Sequence, residues 1–189
     1  MARTTKAESE ATAARILASA RRLYAAEGFA AVSLEQIAAD AAVTRGAVYH
    51  HYASRRGVFE SVHRWAQQEV AAEIERATDG ITDAWLSLET GSRAFLTASV
   101  RDDIRRILLL DGPAVLGWDA WRELDAENSG QLLADVLGEL RVASVPATQA
   151  LLSGAMNEAA LWAASQLDAA AAIDEAWPVL QTLLRSLRV

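Results

Sequence analysis

Residues 33–52, SLEQIAADAAVTRGAVYHHY, read as two short helices joined by a tight turn. Ser33 is a good N-cap, and Leu34, Ile37, Ala38 and Ala41 recur at helical spacing to form one apolar stripe. Val43 fills the corner. Thr44 caps the second helix, where Val48 and Tyr52 fall four residues apart on one face and leave Arg45, Ala47, Tyr49 and His50 to look outward. A short helix showing Arg, Tyr and His suits a groove lined with phosphates and base edges. Helix-turn-helix geometry requires this division: one helix buries its stripe while the next offers its N-terminal end to the major groove.

The neighbouring residues extend the pattern. Gly28-Phe29 precedes it, Ile37-Ala38-Ala39-Asp40-Ala41 forms its first helix, and Thr44-Arg45-Gly46-Ala47-Val48-Tyr49-His50-His51-Tyr52-Ala53-Ser54-Arg55 completes it. With so many typed positions at fixed offsets, the segment from Gly28 to Phe59 resembles the N-terminal domain of the TetR family of transcriptional regulators. The resemblance implies that Arg45, Gly46, Ala47 and His50 face bases, while Ser33, Thr44, Tyr49, His51 and Arg55 contact phosphates. Some positions depart from the family pattern. Ala42 stands where Gly is usual in the turn, a substitution costing about 1 kcal/mol if φ is positive there. Arg55 replaces the usual Lys and Arg56 a usual acid, so the next helix begins more basic than average, which favours phosphate but opposes the helix dipole.

Charge is divided along the chain. The 189 residues carry 25 acidic against 18 basic side chains, a balance that by itself disfavours nucleic acid. Residues 1–57, however, hold eight Lys or Arg (Arg3, Lys6, Arg15, Arg21, Arg22, Arg45, Arg55 and Arg56) against five acids, and the remainder is strongly acidic. Such a chain can present its basic end to DNA and keep its acidic body away. The expected organisation is a helix-turn-helix DNA-binding domain over 1–57 and a helical effector-binding and dimerisation domain over 58–189. Cysteine is absent, which removes disulfides and thiolate chemistry, and no apolar run resembles a signal peptide or a membrane span. A cytoplasmic protein is expected.

Helical periodicity continues throughout, so the fold class is all-α, with about nine helices in all. A first helix is expected at 9–27, built on Ile16, Ala20, Leu23 and Tyr24 and ended by Gly28. A long helix over 54–78 carries Val58, Val62, Trp65 and Ile74 inward and spans the domain boundary as a lever. Further helices are expected at 81–98, 101–110, 119–140, 146–167 and 170–188.

All six tryptophans follow residue 60, more aromatic surface than a small bundle core needs. They point to a pocket for an apolar or aromatic effector among Trp85, Phe95, Trp118, Trp121, Met156, Asn157 and Trp162. Asp111, Asn157 and Glu158 are its candidate polar groups and favour a cationic over an anionic ligand; the bland reading of Glu158 is an ion pair with Arg105, Arg106 or Arg122. Residues 111–125 and 155–162 also resemble a C-terminal domain type from one branch of the TetR family. The last two helices carry broad apolar faces, and Leu151, Leu161, Trp177, Leu180 and Leu184 are the expected homodimer contacts. The family resemblance implies a four-helix bundle across a two-fold axis there, with recognition helices about 34 to 36 Å apart on a near-palindromic operator.

Catalysis finds little support. His50 and His51 are adjacent, His63 is remote, and no HExxH, nucleophile elbow or phosphate-cradling glycine loop occurs, so no catalytic residue, metal or cofactor is expected. The reading is a dimeric, ligand-released repressor. Its alternative is a helical small-molecule-binding or scaffolding module without DNA binding, against which Arg45, Tyr49, His51 and Arg55 weigh.

Overall fold

The computed structural model describes residues 6–188, among which every regular element is helical. Arg3, counted in the basic N-terminal set, lies outside them. Helix α1 (Lys6–Glu27) buries Ile16, Ala20 and Tyr24 against α2 (Leu34–Asp40) and α3 (Arg45–Tyr52). Ser33 builds a reciprocal cap, its Oγ accepting from Gln36 N at 3.2 Å while Gln36 Oε1 accepts from Ser33 N at 2.7 Å. Thr44 Oγ1 caps α3 by accepting from Ala47 N at 3.2 Å. Tyr52 Oη ties α3 to α1 through Ala13 O at 2.9 Å.

The turn between α2 and α3 takes the backbone that its sequence makes awkward. Ala42 has φ of 52°, and the chain closes there because Ala42 N donates to Ala39 O at 3.1 Å and Val43 N to Ala38 O at 2.9 Å. The left-handed conformation that glycine would adopt freely is imposed on a residue with a methyl group.

Ser54 caps α4 (Arg55–Thr78), which belongs to both halves of the molecule. Its first turns bury Val58, Phe59 and Val62, where Phe59 meets Tyr24 and Phe29 at ring separations of 5.4 and 5.1 Å. Its later turns bury Val70 and Ile74 and pack on α5 (Ala84–Ser99), the central helix of the body.

Two of the expected helices take another form. The 101–110 segment begins as a turn and then forms a π-helix, Arg106–Asp111, that runs into α6 (Gly112–Leu116). Pro113 supplies the reason, since it has no N–H to donate to the preceding turn and its ring crowds the carbonyl four residues back, so the backbone widens. The expected 119–140 helix is broken at Asn128 into α7 (Trp118–Glu127) and α8 (Ser129–Glu139). Asn128 leaves helical geometry at ψ of −99°, and its side-chain amide donates to Leu124 O at 2.7 Å. With α9 (Val145–Ala164) and α10 (Ala169–Arg185), the described residues form ten α-helices and one π-helix. None is long and apolar enough to cross a membrane.

The apolar faces of α9 and α10 are divided between core and surface. Leu180 and Leu184, expected on a partner surface, are buried inside this chain at 4% and 0% exposure. Leu161 and Trp177 are half-buried, while Leu151, Trp162, Leu167, Val179 and Leu183 are exposed. Residues 180 and 184 share one face of α10 with Ile173, and 179 and 183 lie about 100° around it, so only one pair can turn inward.

Replacing Ala42 with Gly should raise stability by about 1 kcal/mol, because it removes left-handed strain without removing a buried contact. Urea unfolding of the two proteins measures this; an unchanged or lower midpoint would show that the turn carries no such strain.

Candidate nucleic-acid interface and ligand cavity

Helix α3 presents its first turn and one side to solvent. Thr44, Arg45, Gly46, Tyr49 and His50 are exposed, Ser33, Ala47 and His51 are half-buried, and Val48 is the buried anchor. Arg45 reaches across to Glu35 at 2.7 Å and to Tyr49 Oη at 3.2 Å, with its guanidinium 5.3 Å from the Tyr49 ring centre. These contacts, the tyrosine hydrogen bond foremost, hold the guanidinium above its ordinary pKa. The pair is exposed, so its acidic partner is readily exchanged for another anion. The hydroxyls of Ser33 and Thr44 accept as caps but keep their protons free to donate outward.

Arg55 is placed differently from the other expected phosphate contacts. Its guanidinium lies over the Phe29 ring at 4.1 Å and donates to the Phe29 carbonyl, so it is half-buried at the corner after α1. An arginine has apolar faces as well as donors, and the aromatic corner uses both. Arg56 is exposed but bonded to Glu60 at 2.9 Å and to Leu116 O at 3.1 Å.

The same corner joins the two halves of the chain. Phe29 N donates to Asp111 Oδ2 at 2.7 Å, which places Asp111 at the junction and outside the cavity for which it was a candidate. Gly28, at φ of 85°, lies so close that an added Cβ would sit 2.7 Å from Arg106 Nη1 and 3.2 Å from Asp111 Oδ2. Trp121 Nε1 donates to Leu108 O at 2.8 Å, which fastens α7 to the π-helix. His63 is fully buried beside them, close enough to Gly112 that a Cβ there would lie 2.9 Å from Nε2. Burial pushes the imidazole down to about 4, partly offset by the Leu108 carbonyl.

The body contains a cavity of about 230 Å³ between the end of α4, α5, α8 and α9. Of the expected ligand residues, Phe95 and Met156 line it. Asn157 is buried behind its wall and donates to Asp125 Oδ2 at 2.9 Å. The tryptophans do not line it. Trp121 is core, Trp118 stacks on Trp121 at 5.0 Å and is exposed, Trp85 is half-buried beneath Arg188, and Trp162 is exposed on α9. Glu158 also faces solvent, because neighbouring residues on a helix point about 100° apart and Asn157 takes the inward position. What sequence reasoning missed was the small polar set Ser92, Asp125, Ser129 and Ser153; the signal for Ser92 and Ser153 was their helical spacing with the apolar residues of α5 and α9.

Residues 16–62 match the profile of bacterial regulatory proteins of the tetR family, and residues 85–187 match that of the tetracyclin repressor-like C-terminal domain. The crystal structure of a TetR-family transcriptional regulator from Pectobacterium atrosepticum is 32% identical, with a TM-score of 0.80 and 97% of each chain covered. The HTH-type transcriptional regulator SrpR of Pseudomonas putida is 40% identical over 86 residues, 45% of this chain and 39% of its own. The chain spans about half the length of the curated relatives it matches. RolR, crystallised with resorcinol, shares the fold at 18% identity and a TM-score of 0.72, over 96% of this chain and 90% of that one.

Burial of His63 makes the junction acid-sensitive. Its folded pKa lies below the unfolded value of about 6.5, so its stabilisation is complete above that pH and is lost as pH falls toward 4, by an amount approaching about 3 kcal/mol. Denaturant titrations between pH 7 and pH 4 should show this decline, and His63→Leu should flatten it. An equally steep decline in the variant would place the acid sensitivity elsewhere.

Proposed function

The chain belongs to the TetR family of transcriptional regulators, and from that premise we propose that it is a dimeric repressor that binds a near-palindromic operator and is released by a small molecule held in the body. The observation that carries this reading is the exposed, capped start of α3, where Arg45, Tyr49 and His50 face outward from a helix anchored by Val48. A helix entering a major groove uses such an end, with hydroxyl and main-chain groups set on phosphates and longer side chains on base edges. The operator lies in the cytoplasm, where this protein acts.

Release follows a short mechanical route. Asp125 on the cavity wall and Trp121 lie one turn apart on α7; Trp121 holds the π-helix through Leu108 O, and Asp111 at the end of that π-helix holds Phe29 N. A ligand that shifts α7 therefore moves the corner from which α2 and α3 hang. By linkage, a ligand that lowers operator affinity five- to 150-fold, about 1 to 3 kcal/mol, binds the DNA-bound form correspondingly less well. The π-helix and the junction are the moving parts of this route.

The partner surface is the exposed side of α9 and α10 with the loop between them. Five of the exposed large apolar side chains, Leu151, Trp162, Leu167, Val179 and Leu183, lie there. Pairing this surface with its copy buries them across a two-fold axis.

DNA binding is tested with the segment upstream of the protein's own gene in a mobility shift, against random DNA of the same length. Arg45→Ala should weaken specific binding by about 1 to 3 kcal/mol and leave binding to random DNA much less affected. Equal loss on both would remove the base-reading role, and no shift with the native protein would favour a module without DNA binding. For assembly, Val179→Asp with Leu183→Asp should leave a folded monomer in sedimentation, since both side chains are exposed in the protomer. A persistent dimer would move the interface to another face.

A further inference from the structure

The body cavity has an unbalanced set of polar groups. Ile74, Leu88, Phe95, Leu133, Val136 and Met156 supply its apolar wall, while its ionisable residues are Asp125, Asp135 and Glu139, with no Lys, Arg or His among those lining it. Asp125 is compensated from behind. Its Oδ1 accepts from Ser129 at 3.1 Å, its Oδ2 from Ser153 at 3.1 Å and Asn157 at 2.9 Å, and Arg122 stands 3.6 Å away. Asp135 and Glu139 have no such compensation. They lie four residues apart on α8, both exposed at the rim; Asp135 accepts only from the Gln131 amide at 2.8 Å, and neither has an ion-pair partner among the described residues.

A second observation lies deeper in the cavity. Ser92 on α5 lines it at 4% exposure, and its hydroxyl has no hydrogen-bond partner in the protein. A buried hydroxyl left unpaired costs about 1 to 3 kcal/mol, a cost removed when a bound molecule supplies the missing partner. Resting on the reading that this cavity holds the effector, we propose that its ligand is a small amphipathic organic cation. The molecule has an apolar or aromatic body, a protonated amine directed to Asp135 and Glu139, and a polar group that meets Ser92.

The chemistry selects against the other classes. Ionised carboxylates only accept hydrogen bonds, and an ammonium group offers three donors and the opposite charge. An anionic ligand of the same shape would meet two like charges at the rim of a low-dielectric cleft, which focuses their field on whatever enters. A metal ion does not fit, because no group of three side chains able to hold one converges among the described residues. Phe95 adds an aromatic wall to which a cation is attracted. At about 230 Å³ the cavity falls below the roughly 300 to 1,000 Å³ usual for drug-sized ligands, so the body is no larger than one substituted ring.

The test uses three probes of one shape: tyramine, its neutral alcohol analogue 4-(2-hydroxyethyl)phenol, and the anion 4-hydroxyphenylacetate. Calorimetry on the full chain should rank them cation, neutral, anion, with tyramine about five-fold tighter than the alcohol, as two exposed carboxylates would provide. Asp135→Asn with Glu139→Gln, at exposed sites that leave the core intact, should reduce tyramine to the affinity of the alcohol. Ser92→Ala should weaken all three alike. A neutral or anionic probe that binds as tightly as tyramine, a ranking unchanged in the double variant, or binding by none of the three overturns the cation assignment. If tyramine binds in this manner while the mobility shift with DNA is unaffected, the cation site stands and the effector reading fails.

Discussion

The hydrogen bond from Phe29 N to Asp111 ties the two halves of this protein together alongside the continuous helix α4. It joins a main-chain group at the end of α1 to a carboxylate at the end of the π-helix, a direct tie between the α1–α2 corner and the body. Its surroundings leave little freedom. Gly28 turns at a φ open to glycine and lies against the Arg106 guanidinium, while Arg55 covers Phe29 from the other side. Phe29 is in turn wedged against Tyr24 and Phe59, so the corner is held by aromatic packing as well as by charge. A junction held by several specific contacts at once shifts between discrete arrangements more readily than it deforms gradually.

That geometry explains the two roles of α4. Its first turns pack on α1 and its later turns on α5, so the helix carries one continuous core from the first half of the molecule into the second. The π-helix runs alongside and provides the second connection. The widened backbone imposed by Pro113 brings Leu108 O to Trp121 and Asp111 to Phe29, contacts that link the cavity-bearing helices to the DNA-facing unit. π-helical turns of this kind recur at functional positions because the local backbone is already displaced from its most stable ladder.

Charge follows the same division. The basic excess lies in the first third, where Arg45 stands at the exposed start of α3, whereas the acidic excess of the body includes the uncompensated pair on α8 at the cavity rim. An acidic body disfavours a nearby polyanion, and the basic first third favours one.

The helix-turn-helix was legible in the sequence because it is a local structure. The caps at Ser33, Thr44 and Ser54, the stripe of Leu34, Ile37 and Ala38, and the strained Ala42 are settled by residues within a few positions of one another, and periodicity and capping report such interactions directly. The all-α class and most helix boundaries were determined in the same way. Which apolar face turns inward was not. Leu180 and Val179 look alike to a helical period, as do Trp121 and Trp118, and only their neighbours in space bury one of each pair. The same holds for Arg55, drawn onto Phe29 although its place in the motif pointed to phosphate, and for a cavity whose walls come from segments distant in the chain. Local propensity acts over one or two turns, whereas burial depends on the whole packing, so the tertiary structure alone decided the cavity, the junction and the exposed face of α10.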